Sequence, residues 1–328
     1  MTRRPSRPLV ALTCGDPAGI GPEIAAAALA DRALAAQARL VALGPAALRP
    51  RDVPEIARHE AGALDGPGWI ATETDGAWEL GRVQASAGRA ALAALRLGHE
   101  LALEGQVDAL VTGPVSKEAL HLAGERVEGQ TELLGRWCGV ARCEMLAIAG
   151  QLRVLLLTRH MPLAQALASI TTERVLDHLR LLDDGLRALG LDRPRLALAG
   201  LNPHAGEHGL LGHEEDDLLR PAVEAARAAG VDVAGPVSPD SVFLAASEGR
   251  YDGVLALYHD QAFIPIKLLS RDGGITLLLG LPYLRLSPVH GTAFDLAGTG
   301  RARPANLIAA LRQAAEWGRL RRQARSGR

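Results

Sequence analysis

The feature that most constrains this chain is the alternation of short, continuously apolar runs with longer stretches of helical period. Residues 8–13, 39–44, 107–112, 145–149, 152–158, 195–201, 253–258 and 274–279 are β-branched or Leu-rich and read as strands. Residues 23–35, 85–103, 172–189, 214–229 and 305–317 carry Ala, Leu and Arg at helical spacing and read as helices. Strands that stay apolar without alternating, and that are separated by helices, belong to parallel sheets covered on both faces. The predicted class is therefore α/β with mostly parallel sheets. Ligands of such sheets bind beyond the carboxyl ends of the strands, so the chemistry is expected in strand-to-helix loops. At 328 residues the chain exceeds the usual size of one core, which predicts two lobes and a cleft.

Composition narrows the function. A net charge of -1, a pI near 6.8 and 3% aromatic residues offer neither the field nor the stacking surfaces that nucleic acid or an anionic membrane requires. Small-molecule chemistry is favoured instead. The basic run 319–328 is terminal and lacks aromatics, as a solvated helix end does. Cys14, Cys138 and Cys143 are too few and too irregular for a disulfide framework, and Cys138 and Cys143 are expected as small core residues. No apolar stretch of membrane-spanning length occurs and the start lacks a signal pattern, so a cytoplasmic protein is expected. All but two of the 36 basic residues are arginine, the exceptions being Lys117 and Lys267. A compact ammonium differs from a forked guanidinium in geometry and in ease of deprotonation, so both lysines invite a functional reading beside that of chance retention.

Residues 15–23, Gly-Asp-Pro-Ala-Gly-Ile-Gly-Pro-Glu, form a Gly-rich turn after the first strand, with Pro22 suited to the first turn of a helix. The turn has neither the dinucleotide Gly spacing nor a Walker lysine, so a tight structural turn stands against an anion-binding one. His160, His204 and His259 each lie at or just past the carboxyl end of an expected strand. A parallel sheet can converge three such imidazoles on a divalent ion; capping or loop-ordering histidines are the alternative. Glu207, Asp260 and Asp240 stand near them, and a carboxylate can fix the tautomer of a ligating histidine or move a proton. Asp240 is equally placed to cap a helix. His59, His99, His121, His178, His208 and His213 are expected on polar helix faces or in loops.

The motifs 15–23, Thr112-Gly113-Pro114-Val115-Ser116-Lys117, Asn202-Pro203-His204-Ala205-Gly206-Glu207, Tyr258-His259-Asp260-Gln261 and the run from His290 to Gly298 occur in fixed order. With them the chain resembles the 4-hydroxythreonine-4-phosphate dehydrogenase family of vitamin B6 biosynthesis, itself related to the β-decarboxylating isocitrate and isopropylmalate dehydrogenases. The resemblance implies a two-lobed fold of that type with its active site in the interlobe cleft. Residues 1–128 with 286–328 would form a nucleotide lobe, and 129–285 a lobe for metal, substrate and dimerisation. It also implies a homodimer whose subunits share the active site. One divalent ion (Zn, Mg, Co or Mn) is implied at His160, His204 and His259. Substrate contacts fall on Gln130, Thr131, Lys267, Thr276 and Arg285. NAD, with NADP as the alternative, would be wrapped by His290, Gly291, Thr292, Ala293, Asp295 and Gly298. Lys117 lies in a motif but gains no contact.

The reaction implied is oxidation of a secondary alcohol to a 3-keto acid, which loses carbon dioxide to give 3-amino-1-hydroxyacetone phosphate. The hydroxyl proton goes to Asp240, Lys267 or a metal-bound water, and Lys267 or the metal stabilises the enolate. Three positions depart from the family pattern. Gln130 stands where the family usually has His, Thr276 where it usually has Asn, and residues 287–290 read Ser-Pro-Val-His where it usually reads Ser-Val-Asp-His. Glutamine cannot become a cation, so an anion is held less strongly there. These departures keep open a paralogue acting on threonate 4-phosphate or on a cis-dihydrodiol dicarboxylate, and, in another class, a binding protein without catalysis.

Overall fold

The computed structural model describes residues 7–270 and 274–326, with side chains to 323. The first residues of the chain and the last two of its basic run lie outside the described residues. In chain order, β1 (Leu9–Thr13), α1 (Gly21–Leu29), α2 (Arg32–Gln37), β2 (Arg39–Pro45), β3 (Gly68–Thr72), α3 (Ala85–Leu103), β4 (Ala109–Thr112), α4 (Lys117–Leu122) and α5 (Gln130–Cys138) come first. They are followed by β5 (Glu144–Ala149), β6 (Leu152–Leu156), α6 (Leu163–Ala168), α7 (Thr172–Ala188), β7 (Leu196–Ala199), α8 (Arg220–Ala228), β8 (Val233–Val237), α9 (Val242–Ser247), β9 (Gly253–Ala256), α10 (His259–Leu269) and β10 (Ile275–Leu279). The chain closes with β11 (Arg285–Pro288) and α11 (Ala305–Ser326).

Two compact units result, Met1–Cys143 with Leu281–Arg328, and Glu144–Gly280. Residues 129–143 and 281–285, expected in the second lobe, therefore belong to the first unit. The reason lies in packing. Leu133 and Leu134 of α5 are fully buried, Tyr283 joins the core of Leu9, Val41 and Leu110, and β11 pairs with β4 through Arg285 and Leu110.

In the first unit the strands run in the order β3-β2-β1-β4-β11, every pairing parallel. β1 and β2 are buried along their whole length, which is why they read as unbroken apolar runs. β3 and β11 escaped sequence reading because Gly68, Ser287 and Pro288 dilute their patterns. The single helix expected over 23–35 divides, because the Asp31 carboxylate accepts from Leu34 N at 2.8 Å and starts α2 afresh.

In the second unit the order is β10-β5-β6-β9-β7-β8. β5 pairs antiparallel with both β10 and β6, whereas β6, β9, β7 and β8 are parallel. Val154, Ala197, Val254, Val242 and Ile266 lie in one core beneath α9 and α10. α10 was not expected, since Pro265 sits inside it. The helix expected over 214–229 opens with a π-type turn at Glu215–Leu219 before α8 begins. His99 and His178 are buried rather than on polar faces: His99 Nδ1 lies 2.8 Å from the Tyr283 hydroxyl and His178 Nδ1 2.8 Å from Arg174 O. Cys14 is buried, whereas Cys138 and Cys143 are only half-buried. No helix among the described residues is long and apolar enough to cross a membrane.

The amino ends of β6, β9 and β7 are tied by Asp252. Its carboxylate receives Arg195 N at 2.8 Å, Nε at 3.0 Å and Nη2 at 3.1 Å, while its carbonyl receives Arg153 Nη1 at 3.2 Å. Partial burial works to raise the Asp252 pKa, but the Arg195 bonds outweigh it and hold the carboxyl below its ordinary value. A depressed folded-state pKa contributes stability above the unfolded value and loses it as pH falls. Arg195→Ala is therefore expected to cost about 1 kcal/mol at neutral pH, the pair being half-exposed, with the deficit fading below about pH 4. Urea unfolding of both proteins across that range measures it.

Candidate active site

Three parallel strands deliver the candidate histidines side by side, β6 leading to His160, β9 to His259 and β7 to His204. Their carboxyl ends are cross-tied. Thr158 Oγ1 donates to Leu257 O at 2.8 Å, joining the ends of β6 and β9. The buried Gln261 accepts from Leu257 N at 2.7 Å through Oε1 and donates through Nε2 to Gly200 O at 2.7 Å, joining β9 to β7. Gln261 closes the motif Tyr258-His259-Asp260-Gln261, and its burial beside two strand ends is a property of the fold that residue type does not announce.

His259 is the first residue of α10 rather than the end of its strand, and its ring centroid lies 5.4 Å from that of His160. His259 Nδ1 is 2.7 Å from Asp260 Oδ1, and Phe263 stacks on the ring with 4.7 Å between centroids. A neutral imidazole in that contact carries its proton on Nδ1 and presents Nε2 as a ligand. The pair, with Arg159, Met161, Tyr258 and Asp260, lines a pocket of about 260 Å³. These residues fit two positions of a divalent-ion site.

His204 does not join them within one chain. No group of three His, Cys, Asp or Glu among the described residues is close enough to hold an ion. His204, Ala205, Gly206, Glu207 and His208 have φ of 53°, 54°, 78°, 45° and 58°, a left-handed turn in which His204 is exposed. Each non-glycine residue held so costs about 1–2 kcal/mol. Nothing in the residue types of this segment announces such a turn.

A larger groove of about 490 Å³ adjoins the histidine pocket, sharing Tyr258 and Asp260 with it and adding Asp240, Leu244, Ile264 and Leu268. Asp240 does not cap α9; Ser241 holds the cap position, and the Asp240 carboxylate accepts from Ser238 Oγ at 2.8 Å. Lys267 is exposed in the last turn of α10, and Thr276 is buried in β10 opposite Ala147. Lys117 is exposed at the start of α4.

The first unit assembles the other cation. Arg285 is buried, and burial lowers its pKa to about 10, with Cys143, Tyr283 and Glu132 acting in the opposite sense. Arg285 Nη2 donates to Thr112 Oγ1 at 2.5 Å and to Gln130 Oε1 at 3.1 Å, while Gln130 Nε2 donates to Gly113 O at 3.1 Å. Arg285 Nε has no hydrogen-bond partner among the described residues. Thr131 is buried in the first turn of α5. A buried cation with an unsatisfied donor suits an anionic ligand.

The segment His290–Gly298 is clamped onto the Gly-rich turn. Ile20 N donates to Thr292 O at 2.9 Å, a Cβ on Gly19 would stand 2.7 Å from that oxygen, and Gly298 N donates to the Glu23 carboxylate. Ala293 is left-handed, at φ 42°, and starts a short 3-10 turn that contains the exposed Asp295. His290 Nε2 is shielded from water without a partner among the described residues, as a group awaiting a ligand would be. That clamp fits the segment expected to hold a dinucleotide.

Residues 24–314 match the model of a protein family described as pyridoxal phosphate biosynthetic protein PdxA. A 4-hydroxythreonine-4-phosphate dehydrogenase of Geobacter metallireducens is 41% identical over 329 residues, covering 96% of this chain and 97% of that protein. A D-threonate 4-phosphate dehydrogenase of Salmonella typhimurium is 42% identical over 319 residues, covering 93% and 97%. The crystal structure of a 4-hydroxythreonine-4-phosphate dehydrogenase from Klebsiella pneumoniae superposes with a TM-score of 0.87 at 41% identity, covering 95% of this chain and 99% of that one.

Two outcomes follow from the geometry. Gln261→Leu leaves Leu257 N–H and Gly200 C=O without partners and is expected to cost about 2–4 kcal/mol, read by urea unfolding. Arg285→Met keeps the volume but removes the buried charge, so it is expected to cost no more than about 1 kcal/mol without ligand. Inorganic phosphate should raise the melting temperature of the parent protein and leave that of Arg285→Met unchanged.

Proposed function

The chain belongs to the pyridoxal phosphate biosynthetic protein PdxA family and is an oxidoreductase, and we propose that it oxidises the secondary alcohol of 4-phosphooxy-threonine with NAD and a divalent ion. The observation that carries this reading is the His160–His259 pair, 5.4 Å apart, with Asp260 on the second ring. A divalent ion held there would supply an electrophile for the alcohol oxygen, and a bound NAD would supply the acceptor for the hydride on C3.

The chain's own residues supply the rest. Asp240, in the groove adjoining the histidine pocket, takes the hydroxyl proton. Arg285, oriented by Thr112 and Gln130, binds an anionic group of the substrate. Once C3 is a ketone, the C1–C2 bond breaks, carbon dioxide leaves, and the electron pair passes into the C3 oxygen as an enolate. The Lys267 ammonium stabilises that charge before C2 is protonated. The segment His290–Gly298, positioned by Gly19, Ile20 and Glu23, would hold the dinucleotide.

The protein acts as a homodimer in which His204 of a second copy completes the ligand set. The exposed Leu244, Ile264, Leu268 and Leu269 around the groove support this, as does the separation of His204 from the other two histidines within one chain. A second reading takes D-threonate 4-phosphate as substrate. The relative of that activity supports it, and Gln130, where the family usually has His, keeps it open. The two acids differ at C2, an ammonium in one and a hydroxyl in the other.

Following NADH with each acid and a manganese or zinc salt tests both readings, and absence of turnover with either, metal being bound, would remove the enzymatic one. His259→Ala should lower kcat/KM by about 100-fold or more. Mixed and reassociated His204→Ala and His259→Ala dimers should recover about a quarter of the parent activity, since half the dimers carry one intact site. Failure to recover any would exclude the shared site.

A further inference from the structure

Glu215 has no part in the chemistry above, yet it is 2% exposed, and its carboxylate is saturated by the segment that carries His204. Oε1 accepts from Leu201 N at 2.8 Å and from Asn202 N at 2.7 Å, and Oε2 accepts from Asn202 Nδ2 at 2.8 Å. The same Oε2 would lie 2.8 Å from a Cβ on Gly206, so the carboxylate also fills the space against the left-handed turn itself. Ala205 N donates back to Asn202 O at 3.0 Å, and Leu211 N closes on Gly206 O at 3.1 Å. The carboxylate thus bonds Leu201 and Asn202, three and two residues before His204, and occupies the space beside Gly206, two residues after it.

Three donors converge on its two oxygens, so only a fully accepting group satisfies them; a glutamine must turn its own N–H against one of them. A run of left-handed residues persists only where its surroundings over-determine it. We infer that Glu215 is a positioning residue that holds the 204–208 turn in its left-handed form and so fixes the direction in which His204 is presented. Its relevance to catalysis rests on the reading of His204 as a metal ligand given above. Asn202 belongs to the same device, bridging Glu215 and Glu214 through Nδ2, 2.8 Å from an oxygen of each.

The test uses the full-length dimer, titrated with zinc alone by calorimetry, in Glu215→Gln, Gly206→Ala and His204→Ala. Gly206→Ala reaches the same contact from the other side, by placing a methyl group against Oε2 at a φ of +78°. Each variant should bind zinc about 10-fold or more weakly than the parent while melting cooperatively. Glu215→Gln should restore turnover when reassociated with His259→Ala but not with His204→Ala, because it damages the same contributed loop. Zinc affinity at the parent value in folded Glu215→Gln and Gly206→Ala, with His204→Ala weakened, would overturn the positioning role alone. Unfolding of both, with His204→Ala folded, would assign Glu215 to stability and overturn it as well. Parent zinc affinity in His204→Ala would instead remove the ligand reading on which the proposal rests.

Discussion

The buried amide of Gln261 is the contact on which the strand ends bearing the candidate histidines depend. Parallel strands end abruptly, and their last backbone groups need partners that the next strand does not supply. Gln261 answers that need at two strands together, accepting from Leu257 N and donating to Gly200 O. Because it stands in the first turn of α10, it also fixes where that helix begins, and hence where His259 points. Thr158 performs the corresponding task between β6 and β9, next to His160. The strand ends that lead to the two imidazoles are therefore tied by hydrogen bonds to backbone groups, while Asp260 and Phe263 restrain the His259 ring itself. Asp252 restrains the opposite ends of the same three strands, so their register is fixed at both ends.

What could be read from sequence was what depends on burial and on position relative to a strand. The core strands of both units are apolar throughout because both faces are covered, and most were located within a few residues. His160 and His259 were identifiable as neighbours because strand ends in a parallel sheet share one edge. Illegible features arise where local conformation contradicts residue type. Pro265 argues against a helix that nonetheless runs through it, and Ala, Glu and His give no warning of a left-handed turn at 204–208. The partners of Arg285 were hidden for another reason: Thr112, Gln130 and Arg285 are remote in sequence and meet only because β11 returns to lie beside β4.

The histidines differ in how they are held, and this bears on assembly. His259 is restrained by a carboxylate, a stacked ring and a helix start, whereas His204 projects from a strained turn anchored at its base by Glu215. In the reading proposed above, an ion that joins ligands from two copies binds the dimer better than the monomer. Linkage then requires dimerisation to strengthen metal binding by the same factor by which metal strengthens dimerisation. A turn free to relax would forfeit part of that coupling, because its ordering would have to be supplied at the moment of binding. Holding His204 in place beforehand, at the expense of left-handed backbone, transfers that ordering cost to folding, where the hydrogen bonds of the Glu215 carboxylate offset it.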